Sequence, residues 1–385
     1  MKKNQGNMDF KKLSEVAVIN MGQSPPGDSY NESNDGIPFF QGKSEFQERY
    51  PIVKKWTTQP KKFANIGDIL MSVRAPVGAV NFSNIKCCIG RGLAAITCTN
   101  INQEYLYFYF NFISEELENN GTGSTFKAIT KNQLQNVQIP VPPIESQNKI
   151  VEILEKAEKL KTYREKADKF TEDYLKSIFL EMFGNIGKND KNWEIVQIKD
   201  LVLKTYNENP KNEYPEEHLD YIDISSIDSS VGKIISSTKY LGKKAPSRAR
   251  QKIKANDLLI STVRPNLNAV GLVPSKFDNQ IASTGFCVLR ANESVIPEYL
   301  FSISRSEYFI QSLVNQCKGA SYPAVNNGDI LNLKIPLPPI ELQNKFAKIV
   351  ERVEKIKEYQ NQSKIEIDNL FNNLMQKAFK GEILI

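Results

Sequence analysis

The chain holds a single histidine, His218, and that scarcity closes off a range of chemistry at once. One imidazole cannot build a multi-histidine metal centre, and its setting in the polar stretch YPEEHLD predicts a surface loop rather than the base of a triad. The five cysteines, Cys87, Cys88, Cys98, Cys287 and Cys317, contain no Cys-x-x-Cys pair and leave an odd number. Neither a disulfide framework nor a zinc knuckle fits that count, and reduced, mostly buried thiols are the expectation. No apolar run approaches the roughly 18 residues of a membrane span. The basic amino terminus MKKNQGNMDFKKLSEVAV lacks the apolar stretch of a secretory signal, so a cytoplasmic protein is expected. Glu-x-Lys is absent, as are an Asn-or-Asp-Pro-Pro-aromatic motif and a Gly-rich adenosylmethionine loop. Nuclease and methyltransferase chemistry therefore lack their residues, and any chemistry must come from partners. The stretch GIPFFQGKSEF imitates a phosphate loop, but five residues separate Gly36 from Gly42 where a Walker loop needs four. No cofactor and no metal are expected.

What the chain does have is itself, twice. Residues 139–161 read IPVPPIESQNKIVEILEKAEKLK, and residues 335–357 read IPLPPIELQNKFAKIVERVEKIK, 196 residues on. Such a repeat changes how every other segment is read. The same register carries Gly123 onto Gly319, Phe126 onto Tyr322, Ala128 onto Ala324 and Leu134 onto Ile330. Further back, GDILMSVRAPVGAV resembles NDLLISTVRPNLNAV, setting Asp68 against Asp257 and, after a one-residue insertion, Arg74 against Arg264. IGRGLAAITC meets ASTGFCVLRA, with Gly92 opposite Gly285. At 385 residues the chain is long enough for two cores. The net charge of +6 is a mild tilt toward polyanionic partners that fixes nothing alone.

Each copy is a globular half followed by a long helix. The halves read as α+β, with short β-branched stretches such as GDILMSV between Gly, Pro and Asn turns, and a helix over NQEYLYFYFNFISEEL. The aromatic run in it, Tyr105, Tyr107, Phe108, Tyr109, Phe110 and Phe112, reads as core and partner-facing surface rather than a base-stacking platform. The hinge prolines, Pro142 and Pro143 then Pro338 and Pro339, suit the approach to a helix or its first turn. Apolar residues then recur at spacings of three and four. The predicted seam runs through Leu154, Ala157, Leu160, Phe170 and Ile178 in the first helix, and Val350, Val353, Ile356, Leu370 and Leu374 in the second. Gly184 and Gly187 stop the first helix and Gly381 the second. About 40 residues at about 1.5 Å each give roughly 60 Å. Chain order makes two such helices antiparallel, with an approximate internal twofold axis. The expected divisions are 1–143, a helix over 144–187, 188–339, and a second helix with its tail over 340–385.

Paired IPxPPIExQNK hinges, a long helix after each, two diverged halves and the ending LMQKAFKGEILI resemble the specificity subunits of type I restriction-modification systems, the HsdS family. The resemblance covers nearly the whole chain. It implies two target-recognition domains, each reading one part of a split, asymmetric double-stranded DNA site, joined by antiparallel coiled-coil helices. It implies two methyltransferase subunits as partners, motor-nuclease subunits in the full complex, and no catalysis by this chain. Two other readings stay open. One is the specificity subunit of a related system with a fused methyltransferase-nuclease, and the other is a coiled-coil scaffold that does not bind DNA.

Candidate DNA-facing residues follow from comparing the copies, since matched positions serve scaffold or phosphate and mismatched polar ones are free to specify bases. Arg74 and Arg264, matched, either grip phosphate or pair with Asp68 and Asp257. The basic stretches VKKWTTQPKKF and GKKAPSRARQKIK offer Lys61, Lys62, Lys243, Lys244, Arg248 and Arg250 as phosphate contacts. Lys43 falls in a recognition loop, and Lys318 lies beside Gly319. Arg91 and Lys127, facing Thr284 and Pro323 in the second copy, are candidates for direct base reading.

Overall fold

The computed structural model describes residues 9–121, 127–317 and 323–382, so Lys318 and the Phe126–Tyr322 match lie outside the described residues. The chain divides into two compact units, Met1–Lys166 with Asn361–Ile385, and Ala167–Gln360. Each holds one globular half and a portion of both long helices.

In the first unit a four-stranded antiparallel sheet has the order Ala17–Met21, Leu93–Cys98, Ile69–Ser72, Val80–Phe82. Its central strands are buried on both faces, which is why they read as unbroken apolar runs. Side-chain alternation divides them between two cores. Ile69, Met71, Ala94 and Ile96 join the helical core with Tyr105, Phe108 and Phe110. Leu70, Leu93 and Ala95 join Phe40, Ala64, Cys87 and Ile89 beneath a second sheet. That second sheet pairs Ile37–Phe40 with Cys87–Ile89 in parallel and Phe63–Ala64 antiparallel at its edge. The second unit repeats the plan. Val202–Leu203, Phe286–Ala291, Leu258–Ser261 and Val270–Leu272 form the four-stranded sheet, and His218–Ile222 pairs in parallel with Ile281–Ser283. His218 thus opens a strand, where the sequence suggested a loop. The polar residues before it end at the strand because Leu219, Tyr221 and Ile222 are buried.

The strand register corrects one alignment. Val73 accepts from Ile129 N–H and Thr262 from Val325 N–H, both short β contacts; Ala75 N–H donates to Lys127 and Arg264 N–H to Pro323. Arg74 bridges Ala128, and Val263 bridges Ala324. Arg74 therefore corresponds to Val263, and Arg264 to Ala75. The inserted residue falls after Pro265, since Met71 still pairs with Val80 as Ile260 pairs with Val270. Nor do the aspartates take those arginines as partners. Asp257 receives two bonds from Arg290 at 2.8 and 2.7 Å, and Asp68 accepts from Thr97 Oγ1 at 2.7 Å.

The long helices are Ile144–Phe183 and Ile340–Phe379, 40 residues each. Gly184 and Gly381 follow them at φ 77° and 72°, the left-handed conformation that glycine adopts without strain. Within the first unit Lys161 pairs with Asp368 at 2.9 Å, while Ile150 and Leu154 share a core with Ala378 and Phe379. Within the second, Gln360 donates to Thr171 Oγ1 at 2.8 Å, while Phe346 packs on Phe179 and Phe183. Both pairings are antiparallel. The helix approach is held by twin glutamines. Gln147 accepts from Asn102 N–H and donates to the Pro142 carbonyl, both at 2.8 Å. Gln343 accepts from Ile296 N–H at 3.0 Å and donates to Pro338 at 2.8 Å. Pro142, Pro143, Pro338 and Pro339 all precede the helices, with Gln147 N–H bonded to Pro143 and Gln343 N–H to Pro339.

The seam departs from expectation in its middle. Leu154, Ala157 and Val353 are buried, and Ile178, Val350 and Leu374 are half-buried in the cores. Leu160, Phe170, Ile356 and Leu370 are exposed, at 44%, 70%, 48% and 46%. The frame explains it. A heptad through Leu154 and Ala157 continues to Lys161, Arg164, Asp168 and Thr171, and one through Val353 continues to Lys357 and Gln360. The exposed four stand one residue out of frame, so polar side chains occupy the middle of the seam.

Candidate nucleic-acid interface

In each unit the parallel strand pair delivers two chain segments to one end of its sheet. In the first unit Phe40 lies beside Ile89, and the Ile89 N–H donates to the Lys62 carbonyl at 2.9 Å. Gly90 N–H donates to Phe40 at 2.8 Å, and Gln41 packs so closely on Gly92 that a Cβ there would collide with the Gln41 carbonyl oxygen. This approach leaves Arg91 at the apex of the turn, exposed, with its N–H and Nε donating to Ser24 Oγ at 3.2 and 3.3 Å. The Gly92 carbonyl accepts from Val73 N–H at 2.9 Å, which brings in Arg74, and Ala75 N–H reaches the Lys127 carbonyl at 3.0 Å. Lys43, next to Gly42, and Lys61, next to Lys62, complete the group. Apart from half-buried Lys127, all these cations are exposed.

The second unit builds the same end with other residues. Ile222 lies beside Ala282, and Thr284 N–H donates to the Arg248 carbonyl at 2.9 Å. Thr262 N–H donates to Gly285, and Arg264 follows two residues later with φ 47°. Thr284 thus stands where Arg91 stands in the first unit, and Pro323 where Lys127 stands. Arg248 and Arg264 supply the charge. Arg250 is half-buried, with its guanidinium bonded to Asn209. Lys243 and Lys244 are not brought to this end. His218 pairs with Leu241, so both lysines emerge at the start of the parallel strand rather than its finish, and Lys243 pairs with Glu216 at 3.0 Å.

Such an end can offer charge to phosphates and a few donors to base edges. Burial pushes the Cys98 and Cys287 thiols up to about 12 and the Cys87 thiol up to about 11, so these three stay protonated at neutral pH and make poor nucleophiles. Sequence reasoning missed the supporting groups. Ser24 under Arg91 carries no pattern to find, whereas Gln147 and Gln343 stand at one place in both hinge copies.

The sequence profile of the type I restriction modification DNA specificity domain matches residues 5–169 and again 190–369. The chain is 43% identical over 162 residues to the putative type I restriction enzyme MjaX specificity subunit of Methanocaldococcus jannaschii, covering 42% of this chain. It spans only 38% of the length of that relative. Similarity to the type I restriction enzyme MjaIX specificity subunit of the same organism is lower but longer, 24% over 417 residues, covering 98% of this chain and 94% of that one. The crystal structure of the type I restriction-modification system S subunit from M. genitalium has the same fold, with a TM-score of 0.57 at 15% identity over 98% of both chains.

Proposed function

Because the chain belongs to the type I restriction modification DNA specificity domain family, we propose that it is the non-catalytic specificity subunit of such a complex. It binds a two-part, asymmetric double-stranded DNA site in the cytoplasm and positions two methyltransferase subunits, with motor-nuclease subunits in the full assembly. Residues 1–143 and 188–339 act as the two recognition domains, and 144–187 and 340–385 as the spacer helices and tail. The observation that carries this reading is the duplicated sheet end, one scaffold repeated with different exposed side chains.

Lys43, Lys61, Lys62, Arg74, Arg248 and Arg264 serve as phosphate contacts and Arg91 reads a base edge, with Lys127 beside it. Lys243, Lys244 and Arg250 contribute less, the first two by position and the third because its guanidinium is engaged. Arg91→Ala is expected to relax one position of one half-site, at a cost of about 1–3 kcal/mol in discrimination. The other half-site should be unchanged in a methylation map. Relaxation at both halves, or at neither, contradicts the assignment.

Methyltransferase docking is supported by apolar side chains on the helix flank opposite the recognition domain. Arg49 meets Glu158 in the first unit and Lys233 meets Glu354 in the second, which marks the flank of each helix that faces its own recognition domain. Leu160, Tyr163 and Leu370 in the first unit are exposed, as are Phe170, Tyr174, Ile356 and Tyr359 in the second. At about 100° per residue, Leu160 and Tyr163 stand roughly 160° and 140° around the helix from Glu158, and Ile356 and Tyr359 likewise from Glu354. Exposed apolar stripes of this kind mark protein contacts. Tyr163→Glu and Tyr359→Glu are each expected to remove one methyltransferase subunit, measured as the mass of the co-purified complex by light scattering. An unchanged mass for both variants rules out this face.

A further inference from the structure

Beyond the loops that meet DNA, each unit sends an excursion of chain from its recognition end back to a long helix. In the first unit the excursion leaves through the short helical turn Lys43–Glu45 and is closed by a bond from Ile52 N–H to the Glu45 carbonyl at 2.8 Å. In the second it leaves through Ile224–Ser226 and is closed by Ile235 N–H on the Ser226 carbonyl at 2.9 Å. The two closing bonds identify the excursions as equivalents, although their sequences share nothing visible.

Each excursion presents one cation to the helix. Arg49 bonds Glu158 at 2.7 Å, also contacts Glu104, and lies 3.7 Å from Glu155. Its guanidinium sits 5.4 Å from the ring centres of both Phe82 and Tyr107. Lys233 bonds Glu354 at 2.8 Å. Glu158 and Glu354 are one position of the repeat, 196 residues apart in EKLK and EKIK. The same helix carboxylate is met in both copies, by a cation of different type at a different place in its loop. A chance surface pair has no reason to recur at one position on two diverged scaffolds.

The excursions are stiff enough to transmit that anchorage. In the first, Asn81 brackets Gln47 with bonds at 3.2 and 2.9 Å, and Phe82 N–H donates to the Arg49 carbonyl at 2.8 Å. In the second, Arg305 donates to the Ser229 and Ser230 carbonyls at 3.0 and 2.7 Å. At their other ends lie Gly42 with Lys43, packed on the Arg91 turn, and Asp223, which caps Ser226 N–H at 3.1 Å.

We propose that Arg49 and Lys233 are positioning residues, each latching the recognition loop of its own unit to the helix carboxylate Glu158 or Glu354 and so setting the fidelity of one half-site. The latch rests on the reading of the chain as a DNA specificity subunit. Lys233 and Glu354 are 52% and 38% exposed, so that pair contributes little to global stability, whereas Arg49 and Glu158, at 23% and 33%, are partly buried and contribute more. Their effect lies in where the loop stands, because base contacts tolerate small displacements poorly.

The test uses the complete methyltransferase complex and maps methylated sites by single-molecule sequencing for Arg49→Met, Lys233→Met and the conservative Arg49→Lys and Lys233→Arg. Arg49→Met is expected to raise methylation of sites mismatched in one half by roughly tenfold while the other half keeps its fidelity. Lys233→Met should do the same for the opposite half. The Lys and Arg replacements should restore fidelity with Tm within about 3 °C of the unsubstituted complex, and Lys233→Met should stay within the same bound. Fidelity lost at both halves together, or kept at both in a folded complex, overturns the latch. Glu158→Gln and Glu354→Gln report the same property from the helix side if a methionine variant does not assemble. A wild-type complex that yields no two-part motif defeats the specificity-subunit reading, and the latch with it; a wild-type motif with unaltered variants defeats the latch alone.

Discussion

Arg290→Ala is expected to cost about 3–5 kcal/mol of stability, because it strands a buried carboxylate without its counter-charge. The Asp257 side chain is 1% exposed and that of Arg290 is 23% exposed. Arg290 makes both of its bonds to that carboxylate, and the pairing holds the guanidinium above its ordinary range, the Asp257 hydrogen bonds outweighing desolvation. Asp257 also accepts from Lys254 N–H at 2.8 Å, as Asp68 accepts from Asn65 N–H at 2.7 Å, so each aspartate locks its own turn. The first copy supplies the control. There the position of Arg290 is held by Thr97, whose hydroxyl is enough for Asp68. Arg290→Thr should therefore recover about half of the loss suffered by alanine, read as a Tm roughly 5 °C higher. Equal losses for the two variants would show that the aspartates are not structural equivalents.

The second large effect belongs to the hinge. Gln343 is fully buried and serves three backbone groups, the Ile296 N–H and the carbonyls of Pro338 and Ser294 at 2.8 and 3.2 Å. Gln343→Leu keeps the volume and abandons all three. Each buried polar group left unpaired costs about 1–3 kcal/mol, so a total near 3 kcal/mol or more is expected. Gln147→Leu strands two groups and should cost less. Gln343→Glu preserves the acceptor but turns a carboxylate toward two carbonyl oxygens, and should be no better than leucine at neutral pH. Denaturant midpoints order the three variants. A Gln147→Leu loss exceeding that of Gln343→Leu would contradict the bond count.

These pairs also show which parts of the molecule are written plainly in the sequence. The repeat was legible because the hinge and helix start serve the same backbone groups twice, so their residues cannot drift apart. The long helices and their glycine stops were legible from spacing and conformational preference. The middle of the seam was not, because Leu160, Phe170, Ile356 and Leu370 keep the right spacing while standing one residue outside the frame set by Leu154 and Val353. Residues chosen for an outer surface and residues chosen for a seam are both apolar, and only the packing separates them. The match of Arg74 with Arg264 failed for a related reason. Both precede a proline region in similar strings, yet the bridges to Ala128 and Ala324 put them one residue apart. Gathering Lys62, Arg74, Arg91 and Lys127 at one sheet end required strand pairings between segments up to tens of residues apart, which side-chain pattern alone does not encode. Arg49 lay outside every motif because its carboxylate partners come from two helices far from it in the sequence, Glu104 on one and Glu155 and Glu158 on the other.

The most direct test of the central claim is to produce the chain together with its neighbouring methyltransferase subunit in a host free of competing methylation, then map methylated adenines across the genome by single-molecule sequencing. A single two-part motif with a fixed gap, methylated only when both subunits are present, is the expected result. An intact, assembled complex that leaves the genome unmethylated, or methylates it without a two-part motif, would contradict it.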